Sequence, residues 1–512
     1  VSIVVAPSSA GFAASASVKA TGSTLVWHTC DVRFECSTLA VPIDYARPSG
    51  PKLNLSIIRL RATHQPAEGD IVMNPGGPGE SGVQTLEESA SSFAPALRAA
   101  FNLVSFDPRG AGSSDPVECL STAEEEQFIR VDPEPSTPAE VAGVVAAAKA
   151  FVAGCEAMTP RLLLDHVGTA DTVRDLESLR IALGDRALNY IGFSYGTYIG
   201  ELYAQEYPGR IRAMDLDGVV DPALSSTEAD LEQAEGFEAD LHSYFAWCAT
   251  NVGCTKALPA GARASYTSLI TRLRRGVTLT ARLKPLYGGT QTVDLGMFET
   301  AVAAALYSMD TWPDLSSAIA AGLAGDGGPL AALALSYEGL QQNGTFSDLA
   351  SSSIATGCED DEVPASLSAV ESLAARFLKA APDFGGEDAW GVLPCLYWPV
   401  RASRTPAPIA ARSSKTILVV GSTGDPATPY SGAVAVAHEL AHAVLLTRSG
   451  SGHTAYLASS CVRTWVTKYF TTLATPPPGT DRPQDHRQPR HEPKIADADG
   501  TGTGWAVTYL DR

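Results

Sequence analysis

The stretch Leu188–Tyr203 constrains the fold of this chain more than any other. A short apolar run, Leu188 to Ile191, enters Gly192-Phe193-Ser194-Tyr195-Gly196 and leaves as a helical pattern. A strand, a sharp turn and a helix with serine at the apex throw the Ser194 hydroxyl out at the end of a sheet. Glycine is required at 192 and 196 because side chains there would strike neighbouring backbone. The helix that begins at the serine also aims its N-terminal N–H groups and the positive end of its dipole at developing negative charge. The pattern is short, and in a chain with 45 glycines it is weak by itself. Its surroundings have to decide.

Those surroundings alternate between strand and helix. Leu53–Arg61 reads as a half-exposed strand, and Asp70–Asn74 as a short strand running into Pro75-Gly76-Gly77-Pro78-Gly79. A helix is expected near 83–100, then a strand over Phe101–Phe106 closed by Asp107–Ser114. Thr169 is placed to N-cap a helix whose Val173, Leu176, Leu179 and Leu183 share one face, and Gly184 to stop it. A further strand follows the serine segment within Arg210–Pro222. This rhythm indicates an α/β fold, a mostly parallel doubly wound sheet with helices on both faces.

The rhythm changes near residue 223. Until about 404 the chain reads as mainly helical, an inserted cap. The sheet pattern then resumes at Lys415–Val420, with a helix over 431–442, a strand at Ala443–Leu446 and a last helix over 458–472. The expected division is a hydrolase-like core in two parts (26–222 and 405–473), a helical cap (223–404) and a poorly ordered tail (474–512) rich in Pro, Gly, Asp, Arg and His. Residues 1–25 resemble a signal-peptide remnant or a disordered leader. No unbroken apolar run of about eighteen residues follows, so no membrane span is expected.

The formal net charge is −20, which speaks against nucleic acid or an anionic membrane as a partner. A monomer is expected. Among nine cysteines, Cys30 lies near Cys36 and Cys248 near Cys254, while Cys119, Cys155, Cys358 and Cys395 suffice for two wider bridges of open pairing. None has the two-residue spacing of a zinc site, and no metal or cofactor is expected. Disulfides imply an oxidising, extracellular location. Cys461 is left over, a free buried cysteine.

A serine hydroxyl becomes a nucleophile only when a base takes its proton, and the base needs an orienting acid. In doubly wound hydrolases these follow in the order Ser, Asp or Glu, His, after successive strands. The resumed sheet carries both partners. Asp425 lies in Gly421–Pro429 after one strand, and His453 in the glycine loop Ser449–Tyr456 after the next. Donors for a tetrahedral oxyanion are expected from the N–H of Tyr195 and from Gly77 in the glycine-proline loop. Asp107-Pro108-Arg109-Gly110-Ala111-Gly112 could be read as a phosphate loop, but no Lys-Ser pair follows its glycines.

Together, Val41–Tyr45, Asn74–Gly79, Asp107–Ser114, Gly192–Gly196, Asp217–Pro222, Gly424–Pro426 and Gly452-His453 resemble the α/β-hydrolase superfamily. Within it the chain closely resembles secreted bacterial tripeptidyl aminopeptidases, relatives of proline iminopeptidase. The resemblance covers about Trp27 to Leu473 and implies a serine exopeptidase. Such an enzyme releases short peptides, tripeptides first among them, from free N-termini through an acyl-enzyme on Ser194 and without cofactor. It also implies acidic groups in or near the cap that hold the substrate ammonium. Glu359 and Asp360 are the candidates, with Glu201 on the nucleophile helix in reserve. Two departures from the family stand out. Asp481 follows Pro478-Gly479-Thr480 where relatives carry a cysteine that could bridge to the position of Cys461, which puts the docking of the tail in doubt. Glu80 stands where relatives commonly have glycine. The alternative reading is a secreted carboxylic-ester hydrolase with the same triad.

Overall fold

The computed structural model describes residues 25–282, 290–360, 362–400, 402, 404–477 and 479–483. The leader expected before residue 25 and the tail beyond Pro483 lie outside them, as does Asp361 of the acidic run.

Strands β1 (His28–Thr29), β2 (Phe34–Pro42), β3 (Lys52–Leu60), β4 (Asp70–Asn74), β5 (Asn102–Phe106), β6 (Leu188–Phe193) and β7 (Ile211–Asp217) precede a long helical stretch. Among the described residues that stretch holds, as strands, the hairpin β8 (Leu279–Arg282) and β9 (Thr290–Val293); β10 (Ile417–Gly424), β11 (Ala443–Ser451) and β12 (Thr480–Pro483) follow. Ten strands form one sheet in the order β1-β2-β3-β5-β4-β6-β7-β10-β11-β12. The first three ladders are antiparallel, and every ladder from β5 to β12 is parallel. A parallel sheet covered on both faces needs strands apolar on both sides, and β4 and β6 are buried at every residue.

Alternate side chains feed two cores. Val72, Tyr190 and Val419 pack with helices 169–183, 195–206 and 430–439. Ile71, Ile191 and Leu418 pack with helices 82–89, 95–100 and 460–472 on the opposite face. The helix expected over 83–100 is thus two, interrupted before Pro95. Gly184 ends helix 169–183 in the left-handed conformation at φ 84°, which glycine adopts without strain.

Residues 226–397 build a second core, in which helices 226–250, 262–274, 295–306, 312–323 and 328–337 enclose Leu241, Tyr244, Phe298 and Trp312. A smaller cluster joins Val144 and Ala148 of helix Pro138–Met158 to Val370, Phe377 and Trp390. Helix 138–158 is long and apolar enough by composition to cross a membrane, with Lys149 breaking the run. Here it belongs to the folded body: Phe151 and Val152 enter the sheet core, and Cys155 is bonded to Cys119.

Cysteines pair as Cys30–Cys36, Cys119–Cys155, Cys248–Cys254 and Cys358–Cys395. Cys461 is free but half-buried rather than buried, because it sits in the first turn of helix 460–472. The tail also departs from expectation. Residues 480–483 form β12 alongside β11, and Ser449 Oγ donates to Asp481 Oδ1 at 2.7 Å. Backbone pairing docks this piece without a cysteine.

Cys119–Cys155 closes a loop across a sequence separation of 36, worth about 3–4 kcal/mol in chain entropy. Replacing both cysteines by serine is expected to lower the urea unfolding midpoint accordingly. An unchanged midpoint would rule out that contribution.

Candidate active site

Ser194 joins β6 to helix 195–206 at φ 53°, ψ −128°. A side chain at positive φ outside the helical wells costs on the order of 1–3 kcal/mol and persists only where its surroundings impose it. They do so here. Ser194 N donates to Asp217 O at 3.0 Å, Thr197 Oγ1 to Ser194 O at 2.7 Å, and Tyr190 OH to Gly196 O at 2.7 Å. A Cβ on Gly192 would stand 2.4 Å from Gly196 O, and one on Gly196 2.7 Å from Asn74 O. Both glycines are therefore obligatory.

The loop after β4 lies directly on this turn. Gly76 N donates to the Asn74 side chain at 3.1 Å, and a Cβ on Gly76 would stand 2.8 Å from Ser194 Cβ and 3.3 Å from Tyr195 N. Gly77, Ser194 and Tyr195 together border a cavity of about 470 Å³.

Asp425 follows β10 immediately, and His453 comes two residues after β11. His453 Nδ1 pairs with Asp425 Oδ1 at 2.8 Å, so a neutral ring carries its proton on Nδ1 and leaves Nε2 as the basic atom. Nε2 is buried with no hydrogen-bond partner. The carboxylate is itself fixed, with Oδ1 accepting from Ala427 N and Thr428 N, and Oδ2 from Thr454 N. Thr428 Oγ1 lies 3.3 Å from Nδ1. From the helical layer, Tyr307 O accepts the His453 N–H at 2.8 Å, and the Tyr307 ring stands edge-on to the imidazole, 5.2 Å between centroids. Burial disfavours the imidazolium, but Asp425 outweighs it and the imidazole pKa is raised.

Two nearby acids complete the surroundings. Asp217, given no role from sequence, accepts Ala455 N and Tyr456 N while its carbonyl accepts Ser194 N. It ties the histidine loop to the serine turn, and burial pushes its carboxyl up to about 7. Glu80 is half-buried beside the glycine loop. Burial raises its carboxyl, and it and His453 each feel the other's charge.

The acids expected to hold an ammonium are arranged otherwise. Helix 169–183 begins beside Gly168, which has no side chain to cap it, so Thr169 is its first residue and not its cap. Glu359 Oε2 accepts Gly168 N at 2.6 Å, and Asp360 Oδ1 accepts Thr169 N at 2.7 Å. Both carboxylates are drawn to the positive helix end. Asp360 also borders the cavity, and Glu359 does not. Glu201 is 0% exposed with both oxygens lacking hydrogen bonds. Burial raises its pKa well above the ordinary glutamate value, and it does not border the cavity, so it is out of an ammonium's reach there. Besides Asp360, the cavity is bordered by Asp221, Asp230, Glu232, Glu387 and Asp388, and by Arg404; Asp230, Glu387 and Asp388 act on one another's charge and form its acidic wall. Burial pushes Glu387 up to about 7, and burial with the charges of Asp230 and Glu387 raises Asp388 well above the ordinary aspartate value. Nothing in Gly385-Gly386-Glu387-Asp388 distinguishes these acids in a chain with 57 acidic residues.

A serine on a strand–helix elbow, a glycine loop against it and an Asp–His pair after β10 and β11 define a serine hydrolase of the α/β-hydrolase fold. Residues 71–257 match the family model for the alpha/beta hydrolase fold, and residues 381–482 that for TAP-like protein. The chain is 36% identical over 457 residues to serine protease Hip1 of Mycobacterium tuberculosis, covering 87% of this chain and 86% of the relative. It is 34% identical over 450 residues to carboxylesterase B of the same organism, covering 86% and 85%. Against the tripeptidyl aminopeptidase of Streptomyces lividans, identity is 30% over 480 residues, covering 90% and 87%. This chain belongs to the TAP-like family of α/β hydrolases.

The state of Glu201 has a measurable sign. Its folded pKa lies above the ordinary 4.5, so the stability it allows is fully present below about pH 4.5 and is lost as pH rises toward the folded value. Glu201→Gln is expected to stabilise the fold at pH 7 and to change it little at pH 4, read from unfolding midpoints. An equal effect at both pH values would mean that the native carboxyl is ionised.

Proposed function

We propose that this chain is a serine exopeptidase that removes short peptides, tripeptides first among them, from free N-termini. The observation that carries this reading is the cavity of about 470 Å³ that joins Ser194 to the acidic wall of Asp230, Glu387 and Asp388. Carboxylates whose protons are held by burial and mutual repulsion gain most from an arriving cation, which pairs with them and lowers their pKa values. Similarity to proteins named a serine protease and a tripeptidyl aminopeptidase supports an amide substrate.

In the proposed cycle the ammonium settles on the acidic wall and the scissile carbonyl reaches Ser194. His453 Nε2 takes the hydroxyl proton as Oγ attacks, and Asp425 stabilises the imidazolium through Nδ1. The N–H groups of Gly77 and Tyr195 receive the oxyanion. His453 then returns the proton to the leaving amine, and water repeats the sequence on the acyl-enzyme. The four disulfides support a location outside the reducing cytoplasm.

The test compares Ala-Ala-Pro p-nitroanilide with a free N-terminus, its acetylated twin and a short acyl ester. Acetylation removes the cation and leaves buried carboxylates unpaired, so kcat/KM is expected to fall by at least about 30-fold. Equal cleavage of both peptides, or of the ester alone, would retire the exopeptidase reading in favour of a general ester or acyl hydrolase. Ser194→Ala is expected to abolish all three activities.

A second comparison locates the ammonium. Glu387→Gln with Asp388→Asn is expected to raise KM for the free-amine peptide about ten-fold or more while acetyl-peptide cleavage stays at its low level. An unchanged KM would move the recognition to Asp230 or Asp360.

A further inference from the structure

The loop that carries His453 is gripped from below by one residue outside the Ser–His–Asp set. Arg448, on β11, is 3% exposed. Its Nη2 donates to Ser451 O at 2.9 Å, and its Nη1 lies 3.3 Å from Gly452 O and 3.5 Å from Thr454 O. Nη1 also donates to Ser422 Oγ on β10 at 3.0 Å. These carbonyls bracket His453 in the chain, two before it and one after. They converge on a single guanidinium because Gly450 and Gly452 turn the backbone at φ 144° and 107°. No carboxylate of the described residues pairs with Arg448 within ion-pairing distance; its two Nη groups serve the loop and Ser422, and its Nε is buried without a partner.

We propose that Arg448 is a positioning residue for the reaction, a buried guanidinium that fixes the backbone on both sides of His453 and ties it to β10, the strand that delivers Asp425. A planar guanidinium presents several donors in a rigid fork. An ammonium at the same place is a point charge on a flexible stem and cannot hold these acceptors in one geometry. The other restraints on His453, from Asp425 and Tyr307, act on its ring and its N–H. Arg448 acts on the carbonyls: those of Ser451 and Gly452, and that of Thr454, which Ser422 Oγ also reaches at 3.3 Å.

The same group carries charge. The acids around it come from every neighbouring element: Asp217 on β7, Asp425 after β10, Asp240 on helix 226–250 and Asp310 in the turn 309–311. Asp240 is itself pushed up to about 7 by burial. His453 feels Asp425, Asp217 and Glu80, which all favour the imidazolium. A guanidinium beside Asp425 and Asp217 opposes these two and keeps the base neutral to lower pH. Its loss leaves them unopposed, so the imidazole pKa rises and the acid limb of the rate profile moves up in pH.

The inference rests on His453 as general base, so His453→Ala is assayed beside the Arg448 variants, with the free-amine tripeptide p-nitroanilide as substrate. Active sites are counted by burst titration. Arg448→Met is expected to lower kcat per active site about 100-fold, to leave KM within about three-fold and to move the acid limb of kcat/KM to higher pH. Arg448→Lys keeps the charge and loses the fork, so kcat falls while the acid limb stays in place. Full kcat and an unmoved limb in Arg448→Met overturn the proposal. So does a loss accounted for entirely by fewer titratable sites, which is the signature of a merely structural role. Should Arg448→Met not fold, Arg448→Lys decides, with lowered kcat per site supporting the proposal and unchanged kcat overturning it. An active His453→Ala would instead remove the reading of the site itself.

Discussion

The structure depends on a close approach of three backbone segments. Asn74 at the end of β4, Gly192 near the end of β6 and Gly196 in the following helix come so near that no Cβ fits at either glycine. That contact holds Ser194 in a conformation an isolated chain would avoid, and it lays the glycine loop on the serine. It is possible only because β4 and β6 are neighbours in register, with Asn74 opposite Gly192. The parallel order extends the same logic. β6, β7, β10 and β11 lie side by side, so the segments that follow them gather along one sheet edge, where doubly wound sheets place their sites.

The handling of charge is the second organising theme. In a chain with net charge −20, many acids are buried, and they fall into distinct classes. Asp175 is wholly enclosed and paired in a bidentate fork with Arg109, whose remaining donors reach Pro42 O, Ile43 O and His166 O. This is the structural work of Arg109 in the Asp107–Gly112 segment. Glu359 and Asp360 serve a helix end. Glu201 and Asp215 are pushed by burial well above the ordinary carboxylate range. Asp230, Glu387 and Asp388 border the cavity beside the serine, as Asp221, Glu232 and Asp360 also do, and Asp388 feels the charges of Asp230 and Glu387.

What was legible in the sequence follows from locality. The elbow around Ser194 is a contiguous pattern with a geometric reason for each glycine, and the strands before Asp425 and His453 are contiguous apolar runs. The limits have the same origin. β11 continues through Arg448 and Ser449 to Ser451 because it pairs with β12 and β10, partners that a local pattern does not reveal. Thr169 has the right chemistry for a cap, yet two carboxylates from residues 359–360 take that work from a distance. The acids of the cavity wall are brought to Ser194 by helix packing and carry no local mark. Arg448 reads as one polar residue in a strand until its loop folds back over it.

The short strand β12 has a consequence for the molecule's behaviour in company. Without it β11, the strand that leads to His453, would be the outermost of the sheet and would present a row of unsatisfied donors and acceptors to solvent. Such an edge is a template for strands of other molecules. Thr480–Pro483 occupies that template from within the same chain. The backbone groups of β11 that face it are thereby closed to any foreign strand, an extended peptide included.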